Sequence, residues 1–331
     1  MFAHLTAAEE ALVPDVDDPE LLREVSVDFY LDGRSKVEIA KERGLSRFQV
    51  ARMLNTARDL GIVRIEISTP AHLDNSTGSA LAQALGVREV IVSSGGSSTS
   101  PRDALARAVA RTLVDRAKPQ MTIGVSWSRT IELAAAHIEH LPPCDVVQLV
   151  GAQPVEGSGN SLEMIQRFKS LPGVRTWPIW APLVVQDEAT AAGLRAQPQI
   201  ARALERADQL DIAVVAVGGW SSESSTVYSN VSRSDIADAA AAGAVGECSG
   251  RLFDDAGRLV PTPLDGRIVG VGLDQLRRTP EVIISAHGAA AARAVRAAVR
   301  GGIGSTLVLD PAAAGALTEI LRAESAAVSV D

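Results

Sequence analysis

At 331 residues, 46% hydrophobic, the chain can bury one large α/β core beside a small one, while a net charge of −8 excludes a global basic field for nucleic acid. The two cysteines, Cys144 and Cys248, lie too far apart in sequence for a CxxC motif, which argues against a disulfide framework or a zinc site, and 3% aromatics argue against stacking platforms for single strands. The opening MFAHLTAAEEALVPDVDD has no basic-then-apolar leader pattern and no apolar run reaches spanning length, so a cytoplasmic protein with no membrane partner is expected.

In chain order, Asp18-Pro19-Glu20 combines an N-cap, a first-turn proline and an acid, and predicts a helix start. Leu21, Leu22, Val25 and Phe29 give that helix one apolar face, and Asp32-Gly33 ends it. Ser35-Lys36-Val37-Glu38 is a capping box opening a short second helix through Ile39, Ala40 and Arg43. Gly44 stops it, and Ser46-Arg47-Phe48-Gln49 is a second box of the same kind. Two boxed helices joined through a glycine make a helix-turn-helix pattern.

On the third helix Val50, Met53, Leu54 and Ala57 share one side. The outer side carries Phe48, Arg52, Asn55 and Asp59, flanked by Gln49 and Thr56, with Arg47 and Arg58 on an edge. Three arginines against one aspartate make this face basic within an acidic chain. In a major groove an arginine can take guanine O6 and N7, a glutamine can pair with adenine, and an apolar group can meet a thymine methyl. The expected DNA-binding set is Ser35, Ser46, Arg47, Phe48, Gln49, Arg52, Asn55 and Arg58, with double-stranded operator DNA as partner. The alternative is a protein-docking module with Phe48 tucked against a neighbour and Gln49 consumed by its cap. Alternation over residues 62–67 predicts a strand, as in a winged variant.

Residues 68–78, STPAHLDNSTG, read as a linker, dividing the chain into domains 1–70 and 71–331. Beyond it, strands are predicted at 87–92, 121–125, 146–150, 212–217, 282–285 and 306–309, with helices at 104–115, 131–138 and 290–300 among those between them. This alternation predicts a doubly wound, mostly parallel α/β sheet, in which ligands sit at the carboxyl ends of the strands. Three loops qualify: Gly124 to Thr130, Gly218-Gly219-Trp220, and Ala286-His287-Gly288. In the first, Gly124, Ser126, Ser128 and Thr130 suit sugar or phosphate oxygens, and Arg129 adds a cation. Gly218 and Gly219 permit close backbone approach, and His287 with Gly288 opens a helix. Each loop alone is equally explained as a cap or a tight turn.

The segment EIAKERGLSRFQVARMLNTARDLGIVRIEI resembles the helix-turn-helix of the SorC family of bacterial transcriptional regulators. The large domain agrees through TIGVSWSRT, VVQLVGAQP, WAPLVV, LDIAVVAVGG, GAVGECSGRLFDDAGR, RIVGVGLDQLRRTPEVIISAHG and AVRGGIGSTLVLD. The resemblance implies a homo-oligomer, dimer or tetramer, regulating a carbohydrate or polyol operon. It also implies an effector domain related to sugar-phosphate isomerases, a sugar, polyol or sugar-phosphate effector, and no cofactor. By it, Gly124, Ser126, Ser128, Arg129 and Thr130 form the effector loop, Gln148 and Gly151 approach from the next strand end, and Glu247 comes from GAVGE.

Two departures stand out: Glu247 replaces the family's usual aspartate, and Ala291 stands where relatives carry a lysine that faces phosphate. Either Arg129 or Arg293 compensates, or the ligand is unphosphorylated. His287, which suits a hydroxyl, tips the sequence reading to the second. The rival function is a sugar-phosphate isomerase or deaminase. That chemistry needs a carboxylate with a histidine, and the loop 217–222 has no histidine, so no catalytic residue is expected.

Overall fold

In a computed structural model of the chain, residues 18–63, 76–95, 99–153 and 161–328 are described. The chain divides into two compact units, Met1–Pro70 and Ala71–Asp331. In the small unit, α1 (Pro19–Tyr30) is capped by Asp18, whose carboxylate accepts from Glu20 N–H at 3.2 Å. At the start of α2 (Lys36–Glu42), Ser35 Oγ accepts from Glu38 N–H while the Glu38 carboxylate accepts from Ser35 N–H at 2.8 Å. The same exchange opens α3 (Arg47–Asp59) between Ser46 and Gln49. Each box satisfies two N–H groups that a helix start leaves without partners. Between α2 and α3, Gly44 takes φ +65°, and Leu45 N–H donates to Ala40 O at 2.8 Å, closing the turn.

Leu22, Val25, Ile39, Leu45, Val50, Met53, Leu54 and Ala57 are buried together as the core of the three helices. One polar tie supplements it. Arg43 donates through Nε and Nη2 to Asp28 Oδ2 at 3.0 and 2.7 Å and through Nη1 to Glu24 at 2.6 Å, binding the end of α2 to α1. Of the strand predicted at 62–67, Ile62 and Val63 lie in a bend and the rest falls outside the described residues.

The large unit opens with α4 (Ser76–Leu85), so the end of the predicted linker is a first helical turn; residues 68–75 lie outside the described residues. Next come β1 (Glu89–Val92), α5 (Pro101–Arg116), β2 (Thr122–Val125), α6 (Arg129–Ala136), β3 (Asp145–Gln148), α7 (Ser161–Lys169) and β4 (Arg175–Trp177). Two helices, α8 (Glu188–Arg195) and α9 (Pro198–Arg206), lead into β5 (Ile212–Gly219) and α10 (Arg233–Ala241). Then follow β6 (Gly246–Cys248), β7 (Arg251–Phe253), α11 (Pro263–Gly266), α12 (Leu273–Arg278), β8 (Glu281–Ala286), α13 (Ala292–Arg300), β9 (Thr306–Leu309) and α14 (Pro311–Val328).

Seven strands pair in parallel in the order β1-β9-β8-β5-β2-β3-β4. Every residue of β2, β3 and β9 is buried, which is why their apolar residues stand next to one another rather than in alternation. The predicted α/β class therefore holds, and the six predicted strands are present with ends shifted by a residue or two. Three strands were not predicted: β4, β6 and β7, each only three residues long. β6 pairs antiparallel with the end of β5 and with β7, adding a hairpin to the parallel sheet.

Arg43→Ala leaves the Asp28 carboxylate, 12% exposed, without its principal partner. We expect a loss of about 2 kcal/mol in the small unit. Hydrogen exchange in the full chain should show faster exchange at the amides of α1–α3 and an unchanged large unit.

Candidate functional site

Four adjacent central strands, β8, β5, β2 and β3, end at one cavity. The chain leaves β2 through Ser126, Trp127 and Ser128 and enters α6, whose N-cap is Ser128, with its hydroxyl accepting from Ile131 N–H at 3.1 Å. Arg129 and Thr130 follow at the cavity wall; β3 contributes Val150 and Gly151, β5 Ala216 to Gly218, and β8 Ser285 and His287. Residues after β5, among them Ser222, Ser224, Ser225, Thr226 and Ser229, supply hydroxyls.

The β6–β7 hairpin carries the remaining wall: Glu247, Ser249 and Gly250. Its two-residue loop has both Ser249 and Gly250 at positive φ, 54° and 79°, the conformation that suits the twist of a tight hairpin. The loop also touches the β2 loop, since Ser249 Oγ donates to Ser126 Oγ at 3.3 Å. Glu247 is buried; it accepts from Gly250 N–H at 3.0 Å and from Ser225 Oγ at 3.2 Å. Burial outweighs both donors and pushes its carboxyl up to about 7.

Opposite charges are arranged nearby. Arg102, from the first turn of α5, lines the cavity and donates to Thr130 Oγ1 at 3.1 Å. Burial lowers its pKa, and the charge of Arg129 adds to that effect. The Asp310 carboxylate opposes both effects from beyond ion-pair distance, and no ion pair to either arginine is found among the described residues, so two guanidinium groups face the cavity. His287 Nδ1 lies 2.8 Å from Asp310 Oδ2. Burial alone would raise the Asp310 carboxyl, but His287 and the amides of Ala313 and Gly288 hold it below the ordinary aspartate range. Two further polar atoms of the cavity wall, Trp127 Nε1 and Ser285 Oγ, are buried without a hydrogen-bond partner. Burying a donor without a partner is unfavourable, and such groups are regularly answered by a ligand or by water.

Of the residues named from the sequence, Ser126, Ser128, Arg129, Thr130, Gly151, Gly218, Glu247 and His287 line the cavity. Four others do not, and each has another reason to be where it is. A Cβ on Gly124 would meet Leu149 and Leu210 at 2.7 and 2.8 Å, so this glycine allows core packing beneath β2. Gln148, 0% exposed, spends its amide on Val150 O, Ser161 Oγ and the N–H of Ile179. A Cβ on Gly219 would lie 2.5 Å from Ala290 O, and Gly288, at φ +81°, donates its N–H to Asp310. Arg293 is also elsewhere, paired with Asp255 at 2.8 Å, and Ala291 is buried in the core. Arg102, which the sequence did not point to, lines the cavity and Arg293 does not. Among the described residues no cluster of three His, Cys, Asp or Glu could hold a metal.

The outer surface of α3 is the second site. Val50, Met53, Leu54 and Ala57 are buried, and Arg47, Phe48, Arg52, Asn55 and Arg58 are exposed. Phe48 is 78% exposed, and the Arg47 guanidinium lies over its ring at 5.6 Å from the centroid. Arg58 Nη2 donates to Asn55 Oδ1 at 2.6 Å. Ser35 and Ser46 serve as caps, and the Gln49 side-chain oxygen is committed to Ser46 N–H.

The fold has a counterpart among solved structures. It matches the full-length sorbitol operon regulator SorC from Klebsiella pneumoniae with a TM-score of 0.79, covering 92% of this chain and 99% of that one at 20% identity. Residues 70–319 match the family model described as "Putative sugar-binding domain", and the chain belongs to that family. It is 27% identical over 314 residues to the "Deoxyribonucleoside regulator" of Bacillus subtilis (strain 168), covering 93% of this chain and all of that protein. It is 26% identical over 292 residues to the "Uncharacterized transcriptional regulator YjhU" of Escherichia coli (strain K12), covering 85% of this chain and 89% of that protein.

A raised carboxyl has a definite sign. Between an ordinary 4.5 and about 7 the folded chain keeps a proton on Glu247 that the unfolded chain releases, so this contribution to stability is lost as pH rises through that window. Glu247→Gln should remove it. The melting temperature of the natural chain relative to the variant should fall between pH 5 and pH 8, and a constant difference would refute the assignment.

Proposed function

We infer that the protein is a DNA-binding transcriptional regulator of a carbohydrate or polyol operon, its affinity for the operator set by a small ligand of the sugar class held at the ends of β8, β5, β2 and β3. Residues 1–70 serve as the DNA-binding domain and 71–331 as the effector domain. The observation that carries the ligand class is the pairing of Arg102 with Arg129 beside the hydroxyls of Ser128 and Thr130 and the start of α6. Two guanidinium groups without an ion pair among the described residues, beside a helix N-terminus, suit an anion, which supports a phosphorylated sugar over the neutral polyol that Ala291 had suggested. The hydroxyl-rich wall and Glu247 suit the sugar's own hydroxyls. The names of the relatives, a deoxyribonucleoside regulator and a sorbitol operon regulator, agree with a carbohydrate-linked ligand.

In this reading α3 is the helix that enters the major groove, and a cytoplasmic homo-oligomer presents two copies to the halves of a near-palindromic operator. The ligand acts by binding one arrangement of the effector domains better than another. An isomerase or deaminase is the rival. Glu247 and His287 could form an acid–base pair, but the matched relatives are named as regulators and no observation favours turnover.

Mobility shift on the DNA upstream of the protein's own gene, with a panel of free and phosphorylated sugars and polyols, tests this reading. Sugar phosphates should raise the melting temperature and change DNA affinity, and failure of the whole panel would overturn the effector assignment. Arg129→Ala and Arg102→Ala should each weaken ligand binding about 10- to 100-fold and leave DNA binding intact. Arg52→Ala should weaken DNA binding and keep the ligand-induced stabilisation.

A further inference from the structure

At the N-terminal turn of α3, three successive residues have different fates. Gln49 is held by its capping box with Ser46, so its oxygen cannot turn outward to an adenine without opening the cap. Phe48 points to solvent at 78% exposure, and among the described phenylalanines it is the only one so exposed. Arg47 rests its guanidinium over the Phe48 ring. Such a contact is a cation–π pair, which orients the planar fork of the arginine.

We propose that Arg47 and Phe48 act as one reading unit for two neighbouring base pairs, a guanine taken by Arg47 and a thymine methyl taken by the Phe48 ring. This rests on the reading of α3 as the DNA-contacting helix. An arginine that pairs with guanine O6 and N7 lies in the plane of that base pair. A ring held 5.6 Å from that guanidinium then lies within reach of the adjacent pair. Of the groups that the four bases present in the major groove, the thymine methyl is the apolar one. The ring therefore gains most where a thymine neighbours the guanine, and loses where a cytosine amino group would have to be desolvated. The positive end of the α3 helix and the exposed Arg52 and Arg58 on the same helix favour DNA as the occupant over an apolar protein surface.

Random-sequence duplexes enriched on the full-length protein supply the probe. Natural protein should enrich a half-site with adjacent guanine and thymine, and Phe48→Ala should enrich the same half-site with the thymine preference lost. Replacing that thymine by deoxyuridine removes only the methyl, and should weaken natural protein about four-fold while leaving Phe48→Ala unaffected. Replacing the guanine by 7-deazaguanine should weaken natural protein and leave Arg47→Ala unaffected. Phe48→Ala should keep the melting temperature of the natural chain, since the side chain is exposed. Equal response of natural protein and Phe48→Ala to deoxyuridine would overturn the proposal, as would DNA selection untouched by Phe48→Ala, the result expected of a protein-docking phenylalanine. Enrichment of no sequence at all would instead overturn the DNA-binding reading of α3.

Discussion

The pocket depends on the backbone pairing of Val217, Gly218 and Gly219 with Cys248, Glu247 and Gly246. β5 runs in parallel between β2 and β8 and then continues, for these three residues, as one edge of an antiparallel hairpin. Without that continuation the cavity would be open on the side that Glu247, Ser249 and Gly250 now close. The hairpin is anchored from its far strand, where buried Arg251 donates to the carbonyls of Val271, Asp265 and Gly270. Position of the hairpin is thus set by main chain on one side and by one guanidinium on the other.

This construction separates charge within a small space. Arg102 and Arg129 approach from the β1 and β2 ends, while Glu247 arrives from the hairpin, buried, its carboxyl pushed up to about 7. A carboxyl raised by burial can donate to a hydroxyl when protonated and accept from one when ionised. The His287–Asp310 contact is different in kind, because Asp310 is held ionised by its amide donors and can fix the imidazole's orientation. The cavity wall therefore carries two cations, several hydroxyls, a raised carboxyl and a histidine together.

Local chemistry was legible in the sequence, and long-range assembly was not. Both capping boxes, the Gly44 turn and the buried face of α3 follow from spacings of three and four residues, and each is present as read. The loop Ser126 to Thr130 was legible because a strand-to-helix junction announces itself. Arg102 was not, since it follows a Ser-Gly-rich stretch with no motif, and only the packing of α5 against α6 brings it to Thr130. Gln148 misled for the opposite reason: it sits at a strand end, but its side chain turns into the core to satisfy backbone groups. The hairpin had one usable sign, the Ser249-Gly250 dipeptide between two three-residue runs, too short for any periodicity to register.

Trp127 sits in the cavity wall with its indole nitrogen buried and unpaired, and the chain's other tryptophans, Trp177, Trp180 and Trp220, also lie in the large unit. The small unit has none. The molecule therefore contains an optical asymmetry: its tryptophan emission arises wholly from the unit that holds the cavity. A molecule in the cavity that satisfies the indole N–H would change that emission directly. Emission thus follows occupancy of the cavity without any label added to the chain.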